Sequence, residues 1–210
     1  MSEPYDWPSL MRVPPSVDLD MYLAMPEHIA RRVEIKDGMI AFRESPSPNH
    51  ITVSRTIEQA LRAAVAKHPQ DELSLRASGT LDMLVSEVPF SFRRPDAIVY
   101  RCVKEPRGRW KKKPTVADTL LVVEVVSPGT VTADLRDKRA EYAALGIPHY
   151  WIVRMARDDG PVASIERLRL MSDDTYTPDG ISLRSHTPAL TTTDPVEVHL
   201  TWEDLDEGVE

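Results

Sequence analysis

The chain has 210 residues, 41% apolar and 28% charged, with a formal net charge of −7. That length suits one ordinary domain with a full core, and the composition is that of a soluble globular protein with no apolar run approaching a membrane span. The acidic balance speaks against a protein coated in nucleic acid, although local patches can override it. Cys102 is the sole cysteine, which excludes an internal disulfide framework and a cysteine-rich zinc site. No basic-then-apolar leader opens the sequence, so the expected address is the cytoplasm, away from membranes.

Residues 1–15 hold Pro4, Pro8, Pro14 and Pro15 and read as an irregular arm. Ser16 is placed to cap a short helix with Leu19, Tyr22 and Leu23 on its inner face, stopped by Pro26. Residues 33–42 predict a hairpin, because Asp37-Gly38 supplies the positive φ angles of a tight two-residue turn. Residues 45–50, SPSPNH, form a loop able to cap the next helix through a serine or asparagine. That helix is expected from Asn49 to Lys67 on the spacing of Ile51, Ile57, Leu61, Ala64 and Val65, closing at Pro69.

Strands are expected over 73–77, 80–86, 95–100 and 120–126. Between the last two lies Arg107-Gly108-Arg109-Trp110-Lys111-Lys112-Lys113. This basic loop reads either as a nucleic-acid contact with Trp110 free for stacking or as a solvated loop. A helix over 132–145 should stop at a left-handed Gly146, followed by a strand over 149–153 and antiparallel strands over 162–200. The acidic residues from Glu203 to Glu210 read as a frayed end. The order predicts a mixed α/β domain over 16–205, with 206–210 as an acidic tail.

One residue breaks the pattern. Glu124 sits inside the otherwise apolar run LLVVEVV of residues 120–126. An unpaired buried charge costs several kcal/mol, on the order of a domain's stability margin, so a cation or a protonated partner must share it. If the strands beginning at Asp96 and ending at Glu124 pair antiparallel, Asp96 lies across from Glu124 and Tyr100 across from Leu120. The opposed Cβ atoms would be roughly 5 Å apart. Two such carboxylates repel unless a proton or cation sits between them, and a hard divalent ion such as magnesium fits. The carbonyl of Val125 or Val126 could add to its shell. On the following helix, Asp134, Lys138 and Tyr142 share one face at intervals of four. Two acids, a divalent ion and an ammonium suit phosphodiester hydrolysis. Lys138 reads alternatively as half of a surface salt bridge with Asp134, and Glu124 as a protonated or lysine-paired core acid.

Several stretches together resemble a restriction endonuclease family sometimes called Uma-two, within the PD-(D/E)XK nuclease superfamily. They are Arg94-Pro95-Asp96, Val123-Glu124-Val125-Val126-Ser127-Pro128, then Asp134, Lys138 and Tyr142, and residues 146–153, GIPHYWIV. The likeness extends to Leu23-Ala24-Met25-Pro26, the Glu34…Asp37-Gly38 hairpin and Ser47-Pro48-Asn49-His50, covering roughly 16–205. It implies a restriction-endonuclease-like core, a mixed central sheet flanked by helices with additional antiparallel strands. It further implies metal-dependent cleavage of DNA and self-association as a homodimer. By position, Asp96 matches the first motif acid and Glu124 the second. The lysine expected two residues after the second acid is Val126 here, and Lys138 is its substitute. Glu34 matches a recurrent acid and is either a further metal ligand or the polar face of a hairpin strand. His50 matches a recurrent histidine, read either as a site residue or as a helix-start packing residue.

The expected function is therefore a magnesium- or manganese-dependent endodeoxyribonuclease. Asp96, Glu124 and Val125 would serve the metal, with Lys138, Glu34 and His50 in the catalytic set. The alternative is a DNA-binding or assembly module that keeps the fold without turnover.

Overall fold

A computed structural model describes residues 16–68, 74–127 and 132–209, the side chains of 132–134 excepted. The expected arm over 1–15, the stop at Pro69, Pro128 and the side chain of Asp134 lie outside the described residues. In chain order the helices are α1 (Leu19–Ala24), α2 (Glu27–Ala30), α3 (Pro48–Lys67), α4 (Thr132–Ala144) and α5 (Trp202–Asp206). The first six strands are β1 (Val33–Lys36), β2 (Met39–Phe42), β3 (Leu75–Gly79), β4 (Met83–Glu87), β5 (Phe90–Arg93) and β6 (Ala97–Arg101). The remaining six are β7 (Thr119–Val126), β8 (His149–Met155), β9 (Val162–Leu170), β10 (Tyr176–Leu183), β11 (Ala189–Thr192) and β12 (Val198–Thr201). The fold is the expected mixed α/β arrangement, and β5 is an addition. Its four residues, FSFR, are all buried and end in an arginine, so no alternation betrays them as a strand.

The chain groups into two compact units, residues up to 45 with 83–94, and 46–82 with 95 onward. The first carries a four-stranded sheet in the order β2-β1-β5-β4. Asp37 and Gly38 adopt φ of 50° and 78°, as the hairpin expectation requires. Helix α1 is capped by Asp18, whose carboxylate accepts the Met21 N–H at 2.8 Å. Asp18, not Ser16, therefore does the capping, and Leu23 is exposed rather than inward. Tyr22 packs on Phe92 with ring centroids 4.6 Å apart, over a core of Val33, Ile35, Met83 and Phe90.

The second unit is built on a six-stranded sheet in the order β10-β9-β8-β7-β6-β3. Every neighbouring pair is antiparallel except β7 and β8. Parallel neighbours need a crossover, and α4 supplies it. Glu124 thus lies in an interior strand. Ser47 caps α3, accepting the His50 N–H at 3.3 Å. The α3 stripe of Val53, Ile57, Leu61, Ala64 and Val65 shares one apolar cluster with Ala97, Val99, Leu121, Val123, Val125, Trp151 and Val153. At roughly 1.5–3 kcal/mol for each large apolar side chain, this burial outweighs the modest propensity of a helix containing Thr, Ser and Val. Ile51, expected on that stripe, is exposed, and Val53 holds the inner place. Tyr142 of α4 meets Tyr150 on the sheet's other face, with ring centroids 5.3 Å apart.

Two further expectations are corrected. Residues 202–206 form α5, closed by a Thr201–Asp204 capping box, with Leu205 fully buried and Trp202 in the core cluster. Only its polar face is acidic, which is why the segment reads as a tail from composition. In the basic loop, Trp110 is 3% exposed and donates its indole N–H to the Pro114 carbonyl at 3.2 Å. It anchors the loop from beneath and offers no face for stacking on a base. Gly146 adopts the expected left-handed conformation, φ 74°.

Candidate active site

Strands β6 and β7 pair with Ala97 opposite Val123, Ile98 opposite Val122 and Val99 opposite Leu121. The ladder ends at Ala97 and Val123, one residue short of Asp96 and of Glu124. A bulge then shifts the ladder so that Tyr100 pairs with Thr119 and not with Leu120. The correction falls at the far end of the strands from the acids.

Both acids are buried, Asp96 and Glu124 at 5% exposure each. Each carboxylate is held by specific donors. Asp96 Oδ2 accepts the Val125 backbone N–H at 2.8 Å, and its Oδ1 lies 3.3 Å from His50 Nε2. Glu124 Oε1 accepts the Tyr142 hydroxyl at 2.7 Å, and Oε2 accepts from Lys138 Nζ at 3.2 Å. Lys138 and Tyr142 reach the same carboxylate because residues four apart share a helix face. Lys138 is the more exposed member, its side chain 29% accessible, so the ammonium lies between the buried acid and solvent. The two acids are approached by different helices, Asp96 by α3 and Glu124 by α4. His50 reaches Asp96 from the first turn of α3, while Glu124, between Val123 and Val125 of the α3-covered face, belongs to the alternate face with Tyr142.

The position of His50 depends on a link that sequence reading missed. Asn49, 2% exposed, donates its backbone N–H to Asp159 Oδ1 at 2.9 Å and its side-chain amide to the Asp159 carbonyl at 2.8 Å. Asp159 sits in the β8–β9 turn with φ 54°. The turn therefore clamps the first residues of α3, next to the imidazole. Two polar residues 110 positions apart give no local signal; only a turn at Asp158-Asp159-Gly160 is legible there.

Glu34 belongs to the first unit. Its Oε1 accepts the Arg94 backbone N–H at 3.0 Å and lies 3.7 Å from Arg43 Nε, and its Oε2 is 3.9 Å from Arg93 Nε. Arg93 is itself buried and donates to the carbonyls of Ile35 and Phe92, both at 2.9 Å. Val125 contributes its backbone N–H to Asp96.

Carboxylate oxygens such as those of Asp96 and Glu124 are the donor type a hard divalent cation takes. Among the described residues, no group of three or more His, Cys, Asp or Glu is gathered to hold a metal ion. No helix among the described residues is long and apolar enough to cross a membrane.

The comparisons agree with this architecture. The model of the Uma2 family, described as putative restriction endonuclease, matches residues 19–203. No curated protein matches the sequence significantly. A crystal structure of a putative nuclease belonging to DUF820 from Anabaena variabilis ATCC 29413 superposes with a TM-score of 0.62 at 16% identity, covering 92% of this chain and 99% of that one. At that identity the likeness establishes the fold alone. The family match spans nearly the whole chain, both acids and the Lys138 helix included, and on it the chain belongs to the Uma2 family of restriction-endonuclease-like nucleases.

Proposed function

We propose that the chain is a divalent-metal-dependent endonuclease that hydrolyses phosphodiester bonds in DNA. The observation carrying this reading is the pair of buried acids, Asp96 just before β6 and Glu124 near the end of β7, with the Lys138 ammonium on Glu124. Asp96 and Glu124 would hold the ion, magnesium or manganese, with the Val125 carbonyl as a candidate backbone ligand. When bound, such an ion lowers the pKa of attacking water and offsets the phosphate's charge.

The chain's own groups do the rest. The Val125 N–H and His50 fix the Asp96 rotamer, and the Tyr142 hydroxyl fixes Glu124, so neither acid must reorganise when substrate arrives. Lys138, half-buried and facing solvent, meets the phosphate and stabilises the negative charge that grows on its oxygens. In the reaction the water oxygen bonds to phosphorus, the P–O bond to the sugar breaks, and the water's proton passes to solvent while the leaving oxygen takes one up. His50 acts as a positioning residue for Asp96.

The test is cleavage of a DNA panel by the purified chain with magnesium or manganese. The reading expects metal-dependent products from the wild type and none from Asp96→Ala. Cleavage that survives this substitution unchanged would falsify the assignment. A second reading, a module that keeps the fold without turnover, draws on the direct Lys138–Glu124 ion pair, which balances the buried acid without any metal. It expects no metal uptake by calorimetry and DNA binding that survives loss of both acids.

A further inference from the structure

The loop between β6 and β7 concentrates cationic charge in an acidic chain. Residues 101–118 hold seven Lys or Arg against Glu105 and Asp118, while the whole chain carries −7. Internal pairing sorts these charges into two groups. Arg107 forms a two-pronged pair with Asp118, with Nη2 to Oδ1 at 2.8 Å, and Lys113 Nζ lies 2.5 Å from Asp82 Oδ2. Those pairs knit the loop, together with a bridge between Arg107 and Lys111, a single 3-10 turn over Gly108–Trp110 and a Thr115–Asp118 capping box. Beneath them Trp110 is buried, with Lys113 Nζ 4.8 Å from its ring centre. Of the other five, half-buried Arg101 donates to the Ala117 carbonyl at 3.1 Å, while Lys104, Arg109, Lys111 and Lys112 are exposed, and among the described residues Lys104, Lys111 and Lys112 form no ion pair.

We propose that this loop is a docking surface for the phosphate backbone of duplex DNA, contacted by Lys104, Arg109, Lys111 and Lys112 and held in shape by Trp110 and the Arg107–Asp118 pair. The proposal rests on the nuclease reading and adds to it a contact remote from the acids. Asp96 precedes β6 and the loop follows it, so about 17 Å of strand separates the two, or roughly five steps of a DNA strand at 3.4 Å each. Phosphate contacts need charge and a firm scaffold but no apolar anchor, and they carry no sequence information. An acidic protein partner needs an aromatic or aliphatic anchor, and the loop's aromatic is turned inward. A chain of net charge −7 must also bind DNA through a narrow patch, and this one is internally scaffolded.

The experiment is fluorescence anisotropy with a labelled random-sequence duplex and the full chain, across a salt series, comparing wild type with Arg109→Gln/Lys111→Gln/Lys112→Gln. Each lost phosphate contact lowers the slope of log K against log salt by about 0.9, so the triple variant should lose about 2–3 from the slope and at least about tenfold in affinity near 0.1 M salt. Circular dichroism and thermal melting check that the variant keeps its fold. Unchanged slope and affinity, or no DNA binding by wild type, would overturn the proposal. Equal loop-dependent binding of poly-glutamate would overturn it in favour of an acidic protein partner. Cleavage by wild type and Asp96→Ala in parallel separates the two readings. Loop-independent binding with Asp96-dependent cleavage sinks the loop alone; loop-dependent binding without Asp96-dependent cleavage sinks the nuclease reading alone.

Discussion

Glu34 and Glu124 are both half of a sequence puzzle, acids on strands of a buried sheet, yet the two units treat them differently. Around Glu34 stand guanidinium groups, those of Arg43 and Arg93, and a backbone N–H. These cations keep their charge at any accessible pH, and Arg93 is fixed further by two backbone carbonyls. Around Asp96 and Glu124 stand an ammonium, an imidazole, a phenol and a peptide N–H. Glu34 is thus held by permanently charged partners, and Asp96 and Glu124 by an ammonium, an imidazole and neutral donors. On the proposed reading, that difference separates an acid that holds a sheet together from acids that serve the reaction.

The largest effect that would break this comparison is in turnover. Glu124→Gln should lower DNA cleavage by about 10²–10³-fold, the usual scale for removing a charge-stabilising group, while Glu34→Gln should stay within a few-fold. Equal losses at both positions would return Glu34 to the catalytic set. Stability should split the clusters the other way. Arg93→Met leaves two buried carbonyls and Glu34 short of a donor, and should cost about 2–4 kcal/mol by denaturant unfolding, with little recovery from adding Glu34→Gln. Lys138→Ala should cost about 1–2 kcal/mol, less than a fully buried pair because the side chain is partly solvated. Glu124→Gln placed on top should recover most of that loss, since the buried charge has then gone. Failure of this rescue would mean that Lys138 stabilises through packing.

Smaller effects test the supports. Asn49→Ala removes the clamp on the start of α3 and should lower stability by about 1–2 kcal/mol, with cleavage falling further than His50→Ala alone explains. Equal cleavage by Asn49→Ala and wild type would show that the clamp serves the fold only. At the other end of the sheet, burial lowers the pKa of His149 below its ordinary 6.5, despite the opposing pull of Asp194, whose carboxylate lies 3.5 Å from Nε2. The folded chain then resists protonation that the unfolded chain accepts, so stability is lost as pH falls below about 6.5 toward the depressed value. His149→Gln should flatten the dependence of the denaturation midpoint on pH in that window. An unchanged slope would assign the dependence elsewhere.

Sequence alone made the Glu124 site legible because one charge interrupts an eight-residue apolar strand and the helix after it carries Lys138 four residues before Tyr142. Register followed from pairing consecutive strands, and the Asp37-Gly38 turn followed from its chemistry. What stayed hidden is non-local or two-faced. The Asn49–Asp159 clamp joins residues far apart in sequence, β5 has no alternation, and α5 shows acids outward with Leu205 and Trp202 turned in. Trp110 looked like a reader of bases because a tryptophan among lysines has no periodicity to reveal its inward side. Composition describes what a segment displays; only packing decides which way it turns.

The parallel pairing of β7 and β8 has a kinetic consequence. A parallel pair cannot close as a local hairpin; it waits for α4 to form and cross over, a slow, high-separation step. Lys138 and Tyr142 ride on that crossover, and His50 arrives on a helix pinned by the β8–β9 turn. The full set of donors around Asp96 and Glu124 is therefore completed only with the slowest contacts of the fold. A nascent or partly unfolded chain lacks the finished set of donors around the two acids.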